Sequence, residues 1–148
     1  MALPSIRVAN GHDAAGIWEL LESSGLPTAD LIASEPQFVI AYDGPRIVAT
    51  GALQRFGPSA LLRSVAVAED VRGRGLGRQI VGQLERLARF SDITLLILLT
   101  QTAKRFFERQ GYIVVERDSV PPDVQRSEEF RSLCPGSAVC MAKSIAKA

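Results

Sequence analysis

The sequence predicts one layered α/β domain over residues 1–148: a mixed central sheet of about six to seven strands with helices on both faces. Three observations predict it. Short apolar runs typical of strands alternate with segments of helical period. A glycine- and arginine-rich stretch, VAVAEDVRGRGLGR, joins one of those runs to the clearest helix. The composition is that of a globular protein, with 47% hydrophobic and 22% charged residues in a chain long enough to bury a core.

The elements follow in order. Residues 5–8 suit a short strand. Asp13 can cap a helix carrying Ile17, Trp18, Leu20 and Leu21, which Gly25 and Pro27 end. Thr28 opens a brief helix over 29–33. Residues 38–42 and 47–54 read as strands joined through Asp43-Gly44-Pro45. Gly57-Pro58 turns the chain into a strand over 61–67. From 76 to 90 the apolar residues Leu76, Ile80, Leu84 and Leu87 form one helical stripe, with Arg78, Gln79, Gln83, Glu85, Arg86 and Arg89 off it. Gly82 interrupts that helix, which suggests close packing there. Residues 94–99 are apolar without period, as a fully buried strand would be. A helix over 102–110 closes at Gly111, a strand covers 112–117, Ser127 with Glu128 and Glu129 starts a short helix to Leu133, and a last strand covers 138–143.

The stretch from Arg72 to Arg78 suits a pyrophosphate. Glycines let the backbone curl so that successive N–H groups face one point. The helix behind adds unpaired N–H groups and its dipole, and Arg72, Arg74 and Arg78 add charge-assisted donors. Arg78-Gln79 stands where a Walker loop needs Lys-Ser or Lys-Thr. A dinucleotide fingerprint is also missing its third glycine and the acidic residue after the next strand.

Arg-x-x-Gly-x-Gly after Val-x-Val, in this order of elements, resembles the acetyl-CoA loop of the GNAT N-acetyltransferases. Thr102-Ala103, Phe106-Phe107 and Gly111-Tyr112 extend the likeness to the second cofactor helix of that family. Gly25-Leu26-Pro27-Thr28, Leu61-Leu62-Arg63-Ser64, Leu98-Leu99-Thr100 and Leu133-Cys134-Pro135-Gly136-Ser137-Ala138 resemble the type 2 arsenic-resistance branch. The resemblance implies acetyl-CoA as cofactor and a small-molecule amine as substrate: an arsenic- or phosphorus-containing amino acid, or glutamate. Transfer would be direct in a ternary complex, since no activated nucleophile stands out.

The same resemblance assigns residues. Val65, Ala66 and Val67 would face the pantetheine arm, with the Val65 N–H able to support an oxyanion. Arg72, Gly73, Arg74, Gly75, Leu76 and Gly77, assisted by Arg78, would hold the pyrophosphate. Thr102, Ala103, Phe106 and Phe107 would line the other side, although both phenylalanines also suit the core. Many relatives have a tyrosine acid at Phe107 and a carboxylate base near Arg63 and Ser64, so the catalytic acid and base are unassigned. Glu19 and Glu22 are candidates for the base only by their helix. Arg63 could bind a substrate carboxylate or sit in a salt bridge. Ser64, Arg117, Arg126 and Ser127 would complete the acceptor pocket beneath the Pro121-Pro122 loop.

Two alternatives stay open: a non-catalytic acyl-CoA-binding module, and an acetyltransferase acting on a protein or a charged tRNA. A net charge of +1 offers no general attraction to nucleic acid or membrane, and no apolar run is long enough to span a bilayer. Two cysteines, Cys134 and Cys140, make no disulfide framework and point to a reducing cytoplasm. Buried free thiols are the ordinary reading for both, arsenic contact the alternative. His12 stands alone, so no metal site is expected. A homodimer is compatible with this reading.

Overall fold

Seven strands form a single sheet in the order β1-β2-β3-β4-β5-β7-β6. They are β1 (Ser5–Val8), β2 (Gln37–Asp43), β3 (Arg46–Phe56), β4 (Ser59–Val67), β5 (Leu95–Thr100), β6 (Ile113–Val114) and β7 (Val139–Ser144). All neighbours are antiparallel except β4 and β5, which run parallel. Among the described residues five α-helices accompany them: α1 (Ala14–Ser23), α2 (Leu31–Ser34), α3 (Leu76–Phe90), α4 (Lys104–Arg109) and α5 (Pro122–Gln125). The structure, a computed structural model, describes residues 4–133 and 136–146. Cys134 lies outside the described residues. Among those described, no helix is long and apolar enough to cross a membrane.

Alternation along the strands separates two cores. Ala60, Leu62, Leu96, Leu98 and Met141 join one cluster with residues of α1, α3 and Phe107 of α4. Their neighbours Leu61, Ile97, Cys140 and Ala142 join a second, covered by Val120, Val124 and Phe130 from the segment between β6 and β7. A period of two sends adjacent residues to opposite faces, so the sheet is covered on both.

Of the stripe on α3, Leu76, Ile80 and Leu84 are buried and Leu87 is half-buried, while Val81 and Ala88 beside it are buried too. Burying each large aliphatic side chain contributes about 1.5–3 kcal/mol. The close approach is made at Gly51 of β3, where a Cβ would lie 2.6 Å from Ile80 Cγ2 and 2.7 Å from Leu84 Cδ1. Gly82, expected to be that contact, has open space beside it. Glu85, expected on the solvated face, is buried: it accepts hydrogen bonds from Tyr112 Oη (2.9 Å) and Lys143 Nζ (3.0 Å).

Other expectations shift in detail. Asp13 does not cap α1. Its carboxylate accepts from Asn10 N and forms a two-point ion pair with Arg7. The strand expected over 112–117 shrinks to β6, and the chain then turns through a 3₁₀ turn at Arg117–Ser119. Pro121-Pro122 begins a helix rather than a loop, since proline suits a first helical turn. The helix expected after Ser127 contains a five-residue π-helical turn, Glu129–Leu133.

Candidate active site

The sheet is split beside its own centre. β4 pairs with β5 only from Ser59 to Leu61, and β5 goes on to pair with β7 along its whole length. A bulge in β4 causes the divergence. Thr50 pairs with Ala66 and Ala52 with Arg63, so Gly51 of β3 faces two residues, Ser64 and Val65. Ser64 takes the left-handed conformation, φ 57°, at a typical cost of about 1–2 kcal/mol. Thr50 Oγ1 fixes it by donating to the Ser64 carbonyl at 2.8 Å. Gly51, lacking a side chain, leaves room for α3 behind the bulge.

The glycine loop stands at the open end of this split. Gly73 and Gly75 have φ 83° and 79°, and a Cβ on either would meet no protein atom. Gly75 is the N-cap of α3 and supplies no capping side chain, so the first amides of the helix are offered outward. Arg72 Nε donates to the Val67 carbonyl (3.1 Å) and holds the loop against β4. Gly77 serves differently: a Cβ there would sit 3.2 Å from the ring of Phe106. A cleft of about 850 Å³ results, lined by Val65, Ala66 and Val67, by residues 72–78, and by Thr102, Ala103 and Phe106. Every residue expected at the cofactor except Phe107 therefore borders one continuous space. The donor set, a ring of outward amides with three arginines beside an apolar slot, fits a pyrophosphate joined to a long pantetheine arm.

Phe107 is buried and meets Phe106 and Tyr112 edge to face, with ring centroids 5.0 and 5.7 Å apart. It borders a second, inner cavity of about 270 Å³ that continues the split between the strands. Arg63, Ser64, Val65, Thr100, Gln101 and Glu129 also line that cavity, with residues 24–27 as its outer wall.

Arg63 is not offered to a ligand. Its side chain is fully buried and forms a fork with Asp30, Nη1 to Oδ2 at 2.5 Å and Nη2 to Oδ1 at 2.7 Å. Nη1 also donates to Gln54 Oε1 at 2.9 Å, and Nε lies 3.6 Å from Glu129 Oε1. Of the two readings of Arg63, the geometry is the salt bridge. Burial works against the charge on Asp30, but the hydrogen bonds and charge of Arg63 prevail and hold its carboxyl below the usual range. Glu129 goes the other way. Burial pushes its carboxyl up to about 7, with Arg63 pulling it down and Asp30 pushing it further up.

The remaining acceptor residues are not brought to this cavity. Arg126 is exposed and paired with Asp123. Ser127 turns inward, donating to the Val124 carbonyl and accepting from Phe130 N. Arg117 Nη2 donates to the Ala138 carbonyl at 3.0 Å. Glu19 lines a neighbouring groove with Arg46, Asp70 and Arg72, and Glu22 is exposed. Cys140 is buried in β7, and burial raises its thiol to about 11 against the pull of Arg117.

Sequence reasoning missed Asp30 and Glu129. An arginine on an apolar strand signals that a buried acid must exist. No local spacing says which acid, because Asp30 lies 33 residues away and Glu129 comes from beyond β6.

The comparisons agree with this architecture. The family model for the acetyltransferase (GNAT) domain matches residues 34–114. An uncharacterized N-acetyltransferase of Chlorobaculum tepidum, CT2212, is 31% identical over 81 residues, which are 55% of this chain and 50% of that protein. The chain thus spans about half the length of that relative. Among solved structures, N-acetylglutamate synthase from Neisseria gonorrhoeae, complexed with coenzyme A and N-acetyl-glutamate, superposes with a TM-score of 0.83 at 19% identity. That match covers 99% of this chain and 36% of the synthase. Rv2747 from Mycobacterium tuberculosis, in complex with CoA, superposes with a TM-score of 0.80 at 24% identity, covering 95% of this chain and 99% of that one. GNAT enzymes use acetyl-CoA. With its split sheet, its glycine loop and a family match over more than half its length, the chain belongs to the GNAT acetyltransferase family.

Proposed function

We propose that this protein transfers the acetyl group of acetyl-CoA to the primary amine of a small, amino-acid-like molecule, as a single domain in the cytoplasm. The observation that carries the reading is the junction of the two spaces. The cleft beneath the glycine loop and the 270 Å³ inner cavity share Val65, Thr102, Ala103 and Phe106. In this reading residues 72–78 bind the pyrophosphate, and the arm lies between β4 and β5. The Val65 amide faces the thioester oxygen, where a fixed donor stabilises developing negative charge. Phe107 has no proton to give, so the sulfur leaves as thiolate or takes its proton elsewhere. A thiol pKa near 8.5 makes that feasible.

The size of the inner cavity and its wall at residues 24–27 favour a small acceptor over a folded protein or a tRNA. The N-acetyl-glutamate complex of the synthase supports an amino-acid class. The four stretches that resemble the type 2 arsenic-resistance branch add arsenic- and phosphorus-containing amino acids to glutamate as acceptors in this reading.

A panel of acceptors tests this reading: the L-amino acids, a phosphinate and an arsonate amino acid, a polyamine and a short peptide. Thiol release from acetyl-CoA is followed and each product weighed. The reading expects amine-dependent release with an amino acid and a product one acetyl group heavier. Preference for the polyamine or the peptide would overturn the acceptor class. Acetyl-CoA binding with no transfer to any amine would favour a sensing module.

A further inference from the structure

We infer that Glu129 takes the proton from the acceptor's ammonium group, with Arg63 as the residue that positions it; this rests on the acetyltransferase reading above. The inner cavity has two titratable side chains among the described residues that line it, Arg63 and Glu129. A guanidinium cannot accept a proton at neutral pH. Glu129 is therefore the one titratable acceptor in that lining.

Its setting suits the task. The carboxylate is buried on a π-helical turn, a form uncommon in proteins and frequent at functional sites. Its ionic neighbour is Arg63 Nε at 3.6 Å, an ion-pair distance too long for a hydrogen bond. The strong bonds of Arg63 go to Asp30 and Gln54 instead. Arg63 is thus fixed from two sides and steadies Glu129 without occupying it. The charged groups acting on Glu129 are Arg63 from β4 and Asp30 from the N-terminus of α2. A carboxyl titrating at about 7 accepts a proton near neutrality and releases it again to solvent.

The protons and bonds balance. The ammonium gives one proton to Glu129. The freed nitrogen lone pair forms the C–N bond to the acetyl carbonyl carbon as the C–S bond breaks, with Val65 N–H facing the carbonyl oxygen. A second proton leaves the nitrogen for the departing sulfur. Glu129 then returns its proton to water.

Three measurements on wild type, Glu129→Gln and Glu129→Asp test the assignment. The first needs no cofactor: carboxyl carbon NMR of the free protein should show one resonance titrating near pH 7 that is missing in Glu129→Gln. The second is kinetic, with the amino acid turned over fastest in the panel. Glu129→Gln should lower kcat/KM by about 10²–10⁴, move the acidic limb of the pH profile from near 7 up to the titration of the acceptor's own ammonium group, and leave acetyl-CoA affinity unchanged. Glu129→Asp should keep the limb where wild type has it, at reduced kcat. The third uses hydroxylamine, which is largely unprotonated at neutral pH, so Glu129→Gln should acetylate it about as fast as wild type.

An acidic limb left near pH 7 in Glu129→Gln, or an equal loss with hydroxylamine, would overturn the role of Glu129 while the acetyltransferase reading stands. A wild-type protein that acetylates no amine would overturn that reading and the proposal with it.

Discussion

Glu129→Gln should make the protein more stable at pH 8 and leave its stability at pH 4 unchanged. The ordinary carboxyl value is 4.5, and burial raises Glu129 to about 7 in the fold. Below 4.5 the group is protonated in both states and contributes nothing to the pH dependence. Between 4.5 and 7 the folded state holds a proton that the unfolded chain releases, so wild-type stability falls as pH rises. Above 7 the fall is complete. At 1.36 kcal/mol per pH unit, the gap of 7 minus 4.5 amounts to about 3 kcal/mol. The uncharged amide lacks this dependence. For a chain of this size that is a difference in Tm of about 6–12 °C at pH 8. Asp30 has the opposite sign. Its lowered carboxyl adds stability that is lost as pH falls through its folded value, below the window of Glu129. Urea unfolding of both proteins from pH 4 to 8 is the assay. A stability difference independent of pH across that range would refute the burial argument for Glu129.

Other substitutions probe the rest of the site. Arg63→Met strands the buried Asp30 carboxylate and should lower stability at pH 7 by about 3–5 kcal/mol in urea unfolding; a loss confined to substrate KM would mean that Arg63 meets the acceptor after all. Gly75→Val should fold but lose acetyl-CoA in a calorimetric titration. Its φ of 79° strains a side chain by about 1–2 kcal/mol, and the added atoms project into the cofactor cleft; wild-type affinity would remove the loop from the site. Gly51→Val should cost about 1–3 kcal/mol by overpacking against Ile80 and Leu84; an unchanged unfolding midpoint would deny the close approach of α3 to β3.

What the sequence made legible was local. The loop at 72–78 could be read because strand, glycines, arginines and helix follow one another within a few residues. The α3 stripe, 76–90, has both ends where its periodicity put them. The family's fold and cofactor followed from the same residues. Features that depend on distant partners were not legible. The bulge at Ser64 lies opposite Gly51 on another strand, and Gly51 leaves the space that Ile80 and Leu84 of α3 fill behind it. Arg63 looked available because its acid partners come from segments far along the chain. Gly82 drew notice because it interrupts a helix, yet tertiary contact alone shows that Gly51 is the packed one. Glu129 stands with Ser127 and Glu128 at the start of a short helix, where no local pattern marks it as buried. Its burial arises where it meets Arg63 of β4 at the inner cavity.

The most direct test of the account is a crystal structure of the protein soaked with acetyl-CoA and L-glutamate. The account predicts the pyrophosphate on the amides of residues 73–78 and the arm in the split between β4 and β5. The thioester should lie against Val65 and the acceptor amine within hydrogen-bond reach of Glu129. Acetyl-CoA bound away from that split, or an amine held on a side of the thioester that Glu129 cannot reach, would contradict it.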